Sequence, residues 1–342
     1  MRIEEDTKFD YGDVLIRPKR STIVSRSQVN LERTIKFPNS KQSWTGIPII
    51  AANMDTIGTY EVYKVLSTYK MITAFHKFYT VEDFKVMDLD KEYFMISTGI
   101  SAADLERVKT IIEAIDVKFI CIDIANGYLE PLIEFCSEVR KLYPDKVLIA
   151  GNVVSKEITE ELILRGGVDV VKVGIGPGSA CTTRLQTGVG IPQLSAVMEC
   201  SDAAHGVNGF IIGDGGITCP GDLAKSYGGG ADFVMMGGIF SGHDENPGAL
   251  IKDHEGNQYK EFYGMSSEKA MNRHYGSMAK YRSSEGRSLR VKYKGPLSGT
   301  VDNYLGGLRS TCTYINARNI KNIPKCVTFV KVNRQLNTSL VQ

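Results

Sequence analysis

The feature that most constrains the fold of this chain is a series of eight short apolar runs separated by helical stretches. Each run is four to six residues long, is rich in Val, Ile, Met and Phe, and is mostly apolar at consecutive positions. Strands that helices cover on both faces of a parallel sheet have this composition. The runs span residues 47–52, 71–75, 94–98, 119–123, 147–150, 170–173, 209–213 and 233–236.

Amphipathic stretches separate these runs, for example at 102–115, 128–142 and 156–165. Regular alternation of strand and helix predicts βαβ units. Eight such units within about 190 residues predict an α/β fold of the (β/α)8 TIM-barrel type. An open doubly wound sheet would show the same alternation, and strand counting does not distinguish the two. No GxGxxG motif follows the first strand, which weakens the dinucleotide-binding version of that alternative.

The segments outside the predicted barrel units indicate one domain, residues 1–342, rather than two. Residues 1–46 precede the first strand, and we expect them to form a cap or an oligomer arm. Residues 241–310 follow the eighth strand and are polar, with many Gly, Ser, Lys and Arg residues. A long charged segment in this place predicts a mobile active-site flap rather than a packed element.

Composition argues against several classes of function. A net charge of only +2 provides no field that would draw the protein onto nucleic acid or an anionic membrane. The acidic residues 1–6 lack the apolar run of a signal peptide, and no apolar stretch approaches the roughly 20 residues of a membrane helix. Seven cysteines without a CxxC motif indicate neither a disulfide framework nor a zinc site. We expect a reduced cytoplasmic chain in which six cysteines are small core residues.

Polar residues and glycines collect just beyond the predicted strands, where barrel enzymes build their active sites. The diglycines 215–216 and 237–238 follow strands seven and eight, and their amides are suited to converge on a phosphate. Ordinary tight turns are the alternative. Asp214 is suited to accept hydrogen bonds from ribose hydroxyls, but it is equally suited to cap the next helix.

The loop 174–184, GIGPGSACTTR, contains the strongest candidate for a nucleophile. Cys181 is not placed for core packing, and nearby amides and Arg184 are positioned in sequence to stabilise its thiolate. Thr183 offers a hydroxyl for proton relay. Glu285 offers a carboxylate on the flap, although by spacing alone it is one surface acid among many.

These motifs resemble the IMP dehydrogenase/GMP reductase family, whose loop GxGPGSxCTTR is followed by TGVGxPQ. Here the two motifs occupy 174–184 and 187–193. The resemblance extends over nearly the whole chain. Its further motifs are AANMDT at 51–56, DIANGY at 123–128, GDGG at 213–216, DFVMMGG at 232–238, YGMSS at 263–267 and GGLRSTCTY at 306–314.

Within this family the chain resembles the reductase branch. IMP dehydrogenases usually insert a pair of regulatory CBS modules, for which this chain has no room. Their flap is longer and carries an adjacent Arg-Tyr pair, whereas only thirteen residues separate Met271 from Glu285 here. The segments 192–206, 262–271 and 310–314 also resemble GMP reductases more closely. The resemblance implies NADPH-dependent reductive deamination of GMP to IMP and ammonia, through a covalent intermediate on Cys181.

The resemblance also implies roles for individual residues. Cys181, Thr183 and Glu285 would be catalytic, with Glu285 protonating the departing ammonia through the Thr183 hydroxyl. GMP would contact Ser179, Asp214, Gly215, Gly216, Gly237, Gly238, Tyr263, Gly264, Met265, Ser266, Arg282, Ser283, Ser284 and Gly286. NADPH would contact Ser25, Arg26, Lys77, Asp123, Ile124, Ala125, Ile175, Gly176, Tyr281, Arg282, Ser310, Thr311, Cys312 and Thr313.

Two further expectations come from the family. It forms homotetramers, so a neighbouring subunit would contribute Ser25-Arg26 and the segment at Ser310 to the cofactor site. Arg26 would contact the 2′-phosphate of NADPH, because a guanidinium matches phosphate in a bidentate manner. A potassium site would involve Gly176, Gly178, Cys181 and Arg184, lined by the main-chain carbonyls of the first three.

Three alternatives remain open from the sequence. An IMP dehydrogenase would use the same fold to convert IMP and NAD to XMP. A nucleotide-binding regulator would bind the same ligands without catalysis, although it would not need Cys181, Thr183 and Glu285 together. A flavin-binding barrel would use the same phosphate loops and would not need the cysteine loop.

Overall fold

The computed structural model describes residues 3–277 and 283–333. Three strands precede the barrel, namely β1 (Val14–Ile16), β2 (Arg33–Lys36) and β3 (Ser43–Gly46). β2 and β3 form an antiparallel hairpin. Its Ile35, Phe37 and Trp44 are buried in one cluster with residues at the beginning of the barrel strands, such as Phe119 and Phe233. The hairpin therefore caps the end of the barrel opposite to the strand C-termini, which is one of the two roles expected for residues 1–46.

The eight predicted apolar runs are the eight strands of a closed parallel barrel. Each strand pairs with the next, and the last pairs with the first through Val234 and Ile49. The predicted (β/α)8 barrel is confirmed, and the closing pair rules out an open sheet. The strands are β4 (Ile49–Ala51), β5 (Ile72–Ala74), β6 (Phe94–Thr98), β7 (Phe119–Asp123), β8 (Val147–Val153), β9 (Val170–Val173), β10 (Phe210–Asp214) and β11 (Phe233–Met236).

Helices surround the barrel, and those longer than five residues bury one face against it, whereas α6 (Thr183–Thr187), in the cysteine loop, has no buried residue. In α3 the buried Leu105, Val108 and Ile111 repeat at helical spacing, and Ser101 begins this helix by accepting a hydrogen bond from the amide of Asp104. The helices before β11 are α1 (Tyr60–Leu66), α2 (Val81–Lys85), α3 (Ala102–Ala114), α4 (Glu130–Leu142), α5 (Lys156–Leu164), α6 (Thr183–Thr187), α7 (Gln193–Gly206) and α8 (Pro220–Gly228).

The segment 241–310 differs from the uniform flap that its composition suggested. It contains a three-stranded antiparallel sheet and most of a long helix whose Val301, Leu305 and Leu308 are buried. These apolar residues lie at helical spacing, and the many Gly, Ser and Lys residues around them obscured the pattern. The remaining elements are β12 (Ile251–Lys252), β13 (Gln258–Tyr263), α9 (Glu268–Tyr275), β14 (Ser288–Lys292), α10 (Leu297–Ile315), α11 (Ile323–Cys326) and β15 (Phe329–Lys331).

The cysteines divide differently from the expectation. Four of them are buried, at positions 121, 136, 200 and 312, but Cys219 is exposed and Cys326 is half-buried. The prediction of six core cysteines is therefore wrong for these two. Cys219 directly precedes α8, where the chain turns at the surface.

No helix in the described ranges is both long and apolar enough to cross a membrane.

Candidate active site

A cavity of about 690 Å³ opens at the C-terminal ends of the barrel strands. This volume lies within the range of small-molecule sites. Most of the residues predicted to bind ligands line it. They are Lys77, Asp123, Ile124, Ala125, Ile175, Gly176, Gly178, Ser179, Cys181, Thr183, Asp214, Gly215, Gly216, Gly237, Gly238, Gly264, Met265, Ser266, Glu285 and Gly286.

The three predicted catalytic residues form a continuous hydrogen-bonded chain. The Cys181 thiol lies 3.2 Å from Thr183 Oγ1, and the Thr183 hydroxyl donates to Glu285 Oε2 at 2.8 Å. Glu285 is 102 residues from Thr183 in sequence. A proton can therefore pass between the carboxylate and the region of the sulfur through one hydroxyl.

Main-chain pairing between the cysteine loop and the segment after α9 brings Glu285 to the nucleophile. The amide of Thr182 donates to the carbonyl of Glu285 at 2.8 Å, and the amide of Arg287 donates to the carbonyl of Ala180 at 3.0 Å. Gly264 lies against this pairing, and a Cβ at Gly264 would come within 2.9 Å of the Ala180 carbonyl oxygen. Glycine is needed here because the three backbones approach so closely.

Arg184 fastens the end of the cysteine loop to the N-terminal segment. Its guanidinium pairs with Asp10 at 3.1 Å and donates to the carbonyl of Ile191 at 2.7 Å. The other Asp10 oxygen accepts from the amide of Gln193 at 2.5 Å. The expectation that Arg184 stabilises the Cys181 thiolate is not supported, because its charge is compensated by Asp10 and no bond joins it to the sulfur.

The predicted phosphate loops lie side by side at one end of the cavity. A Cβ on Gly238 would lie 2.5 Å from Ser179 Oγ, so this serine directly abuts the second diglycine. Gly215 and Gly216 both have positive φ, at 86° and 79°. Among the described residues no acceptor is found for the amide of Gly216, which leaves this donor available to an anion.

Asp214 lies in the cavity rather than at a helix start, because α8 begins six residues later at Pro220. Its Oδ2 accepts from Lys172 Nζ at 2.6 Å and from Asn152 Nδ2 at 2.8 Å. Lys172 also lies 3.5 Å from Asp123 Oδ1. Burial opposes the charge of Lys172, but the carboxylates of Asp123 and Asp214 outweigh it and raise the pKa of this ammonium.

Sequence reasoning missed Lys172, although the sequence carried a signal for it. A lysine within the buried run Val170–Val173 must find compensating charge in the barrel interior. It also missed Asp55, which is 3% exposed and follows β4. Asp55 Oδ2 accepts from Tyr263 Oη at 2.9 Å and lies 2.7 Å from His274 Nε2.

The Asp55 contacts attach the segment between β13 and β14 to the barrel. The His274 ring stacks on Phe78, with ring centroids 3.5 Å apart, and Phe78 lines the cavity beside Lys77. Tyr263, which the resemblance assigned to GMP, is turned toward Asp55 and does not line the cavity. Burial, followed by the charge of Asp55, raises the pKa of Tyr263.

Several other predicted residues also lie outside the cavity. Ser283 bonds to Gln186 and Ser284 to the Gly286 carbonyl, so they flank Glu285. Ser25 and Arg26 lie at a short 3₁₀ turn that contacts α10, the helix carrying Ser310, Thr311, Cys312 and Thr313. The Cys312 side chain is fully buried, so it is not available to a ligand. Tyr281 and Arg282 lie outside the described residues.

Comparison with known proteins identifies the family to which this chain belongs. A family model described as IMP dehydrogenase / GMP reductase domain matches residues 8–338. The chain is 53% identical over 342 residues to GMP reductase 1 of Homo sapiens, covering 98% of this chain and 99% of that protein. It is 53% identical over 341 residues to GMP reductase of Phytophthora infestans, covering 98% and 94%. It is 53% identical over 343 residues to GMP reductase of Enterobacter sp. (strain 638), covering 98% of each. The resemblance inferred from the motifs is confirmed, and the chain belongs to the IMP dehydrogenase / GMP reductase family.

Proposed function

We propose that this protein is a GMP reductase, which converts GMP to IMP and ammonia with NADPH as reductant. The observation that carries the proposal is the chain from Cys181 through Thr183 to Glu285, with contacts of 3.2 and 2.8 Å. The relatives reported above, matched over 94% or more of their length, are GMP reductases, which supports the same reaction here.

The reaction needs a nucleophile and an acid, and the chain provides both. The Cys181 thiolate forms a bond to C2 of the purine, and the bond from C2 to the amino nitrogen then breaks. The amino group leaves readily only when its nitrogen gains a proton and departs as ammonia, and Glu285 supplies that proton through the Thr183 hydroxyl. The nicotinamide, when bound, would supply the hydride that C2 needs in place of the amino group. Cys181 finally departs from C2 as thiolate, which regenerates the enzyme.

The cavity suits GMP in three places. Ser179, Gly216 and Gly238 would hold the phosphate through a hydroxyl and main-chain amides. Asp214, with its Oδ1 free of donors among the described residues, would accept from the ribose. Met265 and Ser266, next to the glycines that pack on the cysteine loop, would contact the base.

The cofactor would enter beside Lys77 and Asp123, which line the same cavity. Its adenosine phosphates would meet a basic face from a neighbouring subunit of a homotetramer. Residues 14–31 carry four basic side chains and residues 303–333 carry five, and neither segment contains Asp or Glu. None of these nine forms an ion pair within the described ranges. Arg26 belongs to this face and would contact the 2′-phosphate.

Of the four residues expected to form a potassium site, three would supply carbonyl ligands from the cysteine loop and the fourth would not. Within the described residues no donor reaches the carbonyl oxygens of Gly176 and Cys181, whereas the Gly178 carbonyl accepts from the Cys181 amide at 3.0 Å. Arg184 does not fit as a ligand. Its carbonyl accepts from Gly188 at 3.1 Å, and its cationic side chain is bonded elsewhere. Gly176, Gly178 and Cys181 would therefore supply the oxygen ligands.

The test is the loss of NADPH absorbance on addition of GMP, with ammonia measured in the same sample. Wild-type protein should oxidise NADPH and release ammonia. Cys181→Ala should do neither while still binding GMP. Formation of NADH and XMP from IMP and NAD, with no reaction of GMP, would identify a dehydrogenase instead. Binding of GMP without turnover in either direction would identify a regulator.

A further inference from the structure

Lys172 is a charged residue in the interior of the barrel that the reaction scheme above does not use. It lies in the middle of β9, is 3% exposed, and lines the floor of the cavity. Its Nζ bonds to Asp214 at 2.6 Å and lies 3.5 Å from Asp123. One cation therefore sits between the carboxylate proposed for the ribose and the carboxylate proposed for the cofactor.

Lys172 and one side-chain amide hold each carboxylate, but they use its oxygens differently. Asp214 receives Lys172 and the Asn152 amide on the same oxygen, and Gln193 Nε2 donates to its main-chain carbonyl at 3.2 Å. Asp123 receives the Asn53 amide on Oδ2 at 2.6 Å and faces Lys172 with Oδ1. Asp214 thus has one oxygen that two side chains occupy, and a second oxygen that receives no donor from residues 3–277 or 283–333.

We propose that Lys172 is a specificity-determining residue, which fixes Asp214 so that its open oxygen selects a nucleotide with an intact 2′,3′-diol over its 2′-deoxy analogue. This inference rests on the proposed function, because it takes GMP as the substrate. A fixed acceptor is left unpaired when the substrate lacks a hydroxyl, and that loss gives discrimination. A carboxylate that can turn away finds another partner and loses the preference.

Removal of the cation should loosen Asp214 in a predictable direction. Without Lys172 no cation lies between the carboxylates of Asp123 and Asp214, and these two like charges repel each other. Asp214 then keeps only the Asn152 amide and can rotate. A purely structural role for Lys172 would instead reduce stability and turnover while leaving the preference between the two nucleotides unchanged.

The experiment compares GMP with 2′-deoxy-GMP on wild type, Lys172→Met and Lys172→Arg. The ratio of kcat/KM for the two substrates should fall by about tenfold or more in Lys172→Met, mainly through KM for GMP, on the scale of one lost charge-assisted contact. Lys172→Arg keeps the positive charge and should retain most of the ratio. An unchanged ratio in a folded Lys172→Met would overturn the inference.

Two further measurements keep the outcomes separate. If Lys172→Met does not fold, Lys172→Gln replaces it. This variant keeps a hydrogen-bond donor without the charge. A wild-type ratio of kcat/KM values in Lys172→Gln counts against the proposal. Calorimetric titration of each nucleotide into protein without NADPH gives the same ratio from binding alone. Wild-type protein that discriminates in binding but never oxidises NADPH with GMP would refute the proposed function and leave the role of Lys172 standing.

Discussion

Replacing Thr183 by valine removes one oxygen atom and nearly preserves the volume of the side chain. That oxygen makes both contacts of the relay, at 3.2 Å to the Cys181 sulfur and 2.8 Å to the Glu285 carboxylate. Glu285 itself stays in place, because the Thr182 amide still donates to its carbonyl at 2.8 Å. The substitution therefore interrupts proton transfer without moving the acid.

The expected size of the effect follows from the role of the hydroxyl. Positioned proton transfer contributes roughly 10²- to 10⁴-fold in rate, which corresponds to about 3–5 kcal/mol of activation free energy. We expect kcat for GMP reduction to fall by about 10²-fold or more in Thr183→Val. KM for GMP should change little, since a group that acts only in the transition state affects kcat.

The assay combines steady-state loss of NADPH absorbance with single-turnover release of ammonia. Thr183→Ser restores the oxygen and serves as the matched control, and it should recover most of the rate. Glu285→Gln should slow the same step, and the double variant Thr183→Val/Glu285→Gln should be no slower than the worse single variant, because the two groups act as a unit. Near-normal ammonia release by Thr183→Val, or multiplicative losses in the double variant, would refute the relay.

Three further predictions concern other parts of the molecule. Gly238→Ala should weaken GMP binding by about tenfold or more, because its Cβ would lie 2.5 Å from Ser179 Oγ. Guanosine without the phosphate should bind the variant unchanged, and Gly299→Ala, with open space at its Cβ, is the control; equal losses for GMP and guanosine would contradict the phosphate assignment. Asp55→Ala should lower the free energy of unfolding by about 1–3 kcal/mol for each buried partner left unpaired and raise KM for GMP, since Tyr263 and His274 lose their acceptor. Urea unfolding and initial rates measure both effects, and a wild-type KM would show that this attachment does not shape the site. Burial, with the nearby Lys294 charge, lowers the pKa of His243 from 6.5 to about 4. Between pH 6.5 and 4 the unfolded chain therefore binds a proton at His243 more readily than the folded protein does. The free energy of unfolding should therefore decline as the pH falls from 6.5 toward 4, by about 3 kcal/mol for this residue. His243→Gln should reduce that slope in urea titrations, and an unchanged slope would show that His243 does not titrate there.

The sequence by itself determined the barrel, because its signal is local. The strands Phe94–Thr98 and Phe119–Asp123 begin with three and four consecutive apolar residues, and the apolar residues of the helices between the strands repeat at helical spacing. The cysteine loop and the diglycines were also identified from short motifs. Each of these features depends on neighbours in the chain, and they end at the strand termini that form one face of a barrel.

The tertiary structure alone decided which distant side chains meet. By spacing alone Glu285 was one acid among many, and only the family resemblance assigned it to the relay; main-chain pairing with the cysteine loop places it beside Thr183. Arg184 turned away from Cys181 because Asp10, 174 residues distant, compensates its charge. Lys172 and Asp55 gained their roles only from partners on other strands and on the segment after β13. Hydrogen bonds and ion pairs of this kind depend on three-dimensional proximity, which periodicity along the chain does not encode.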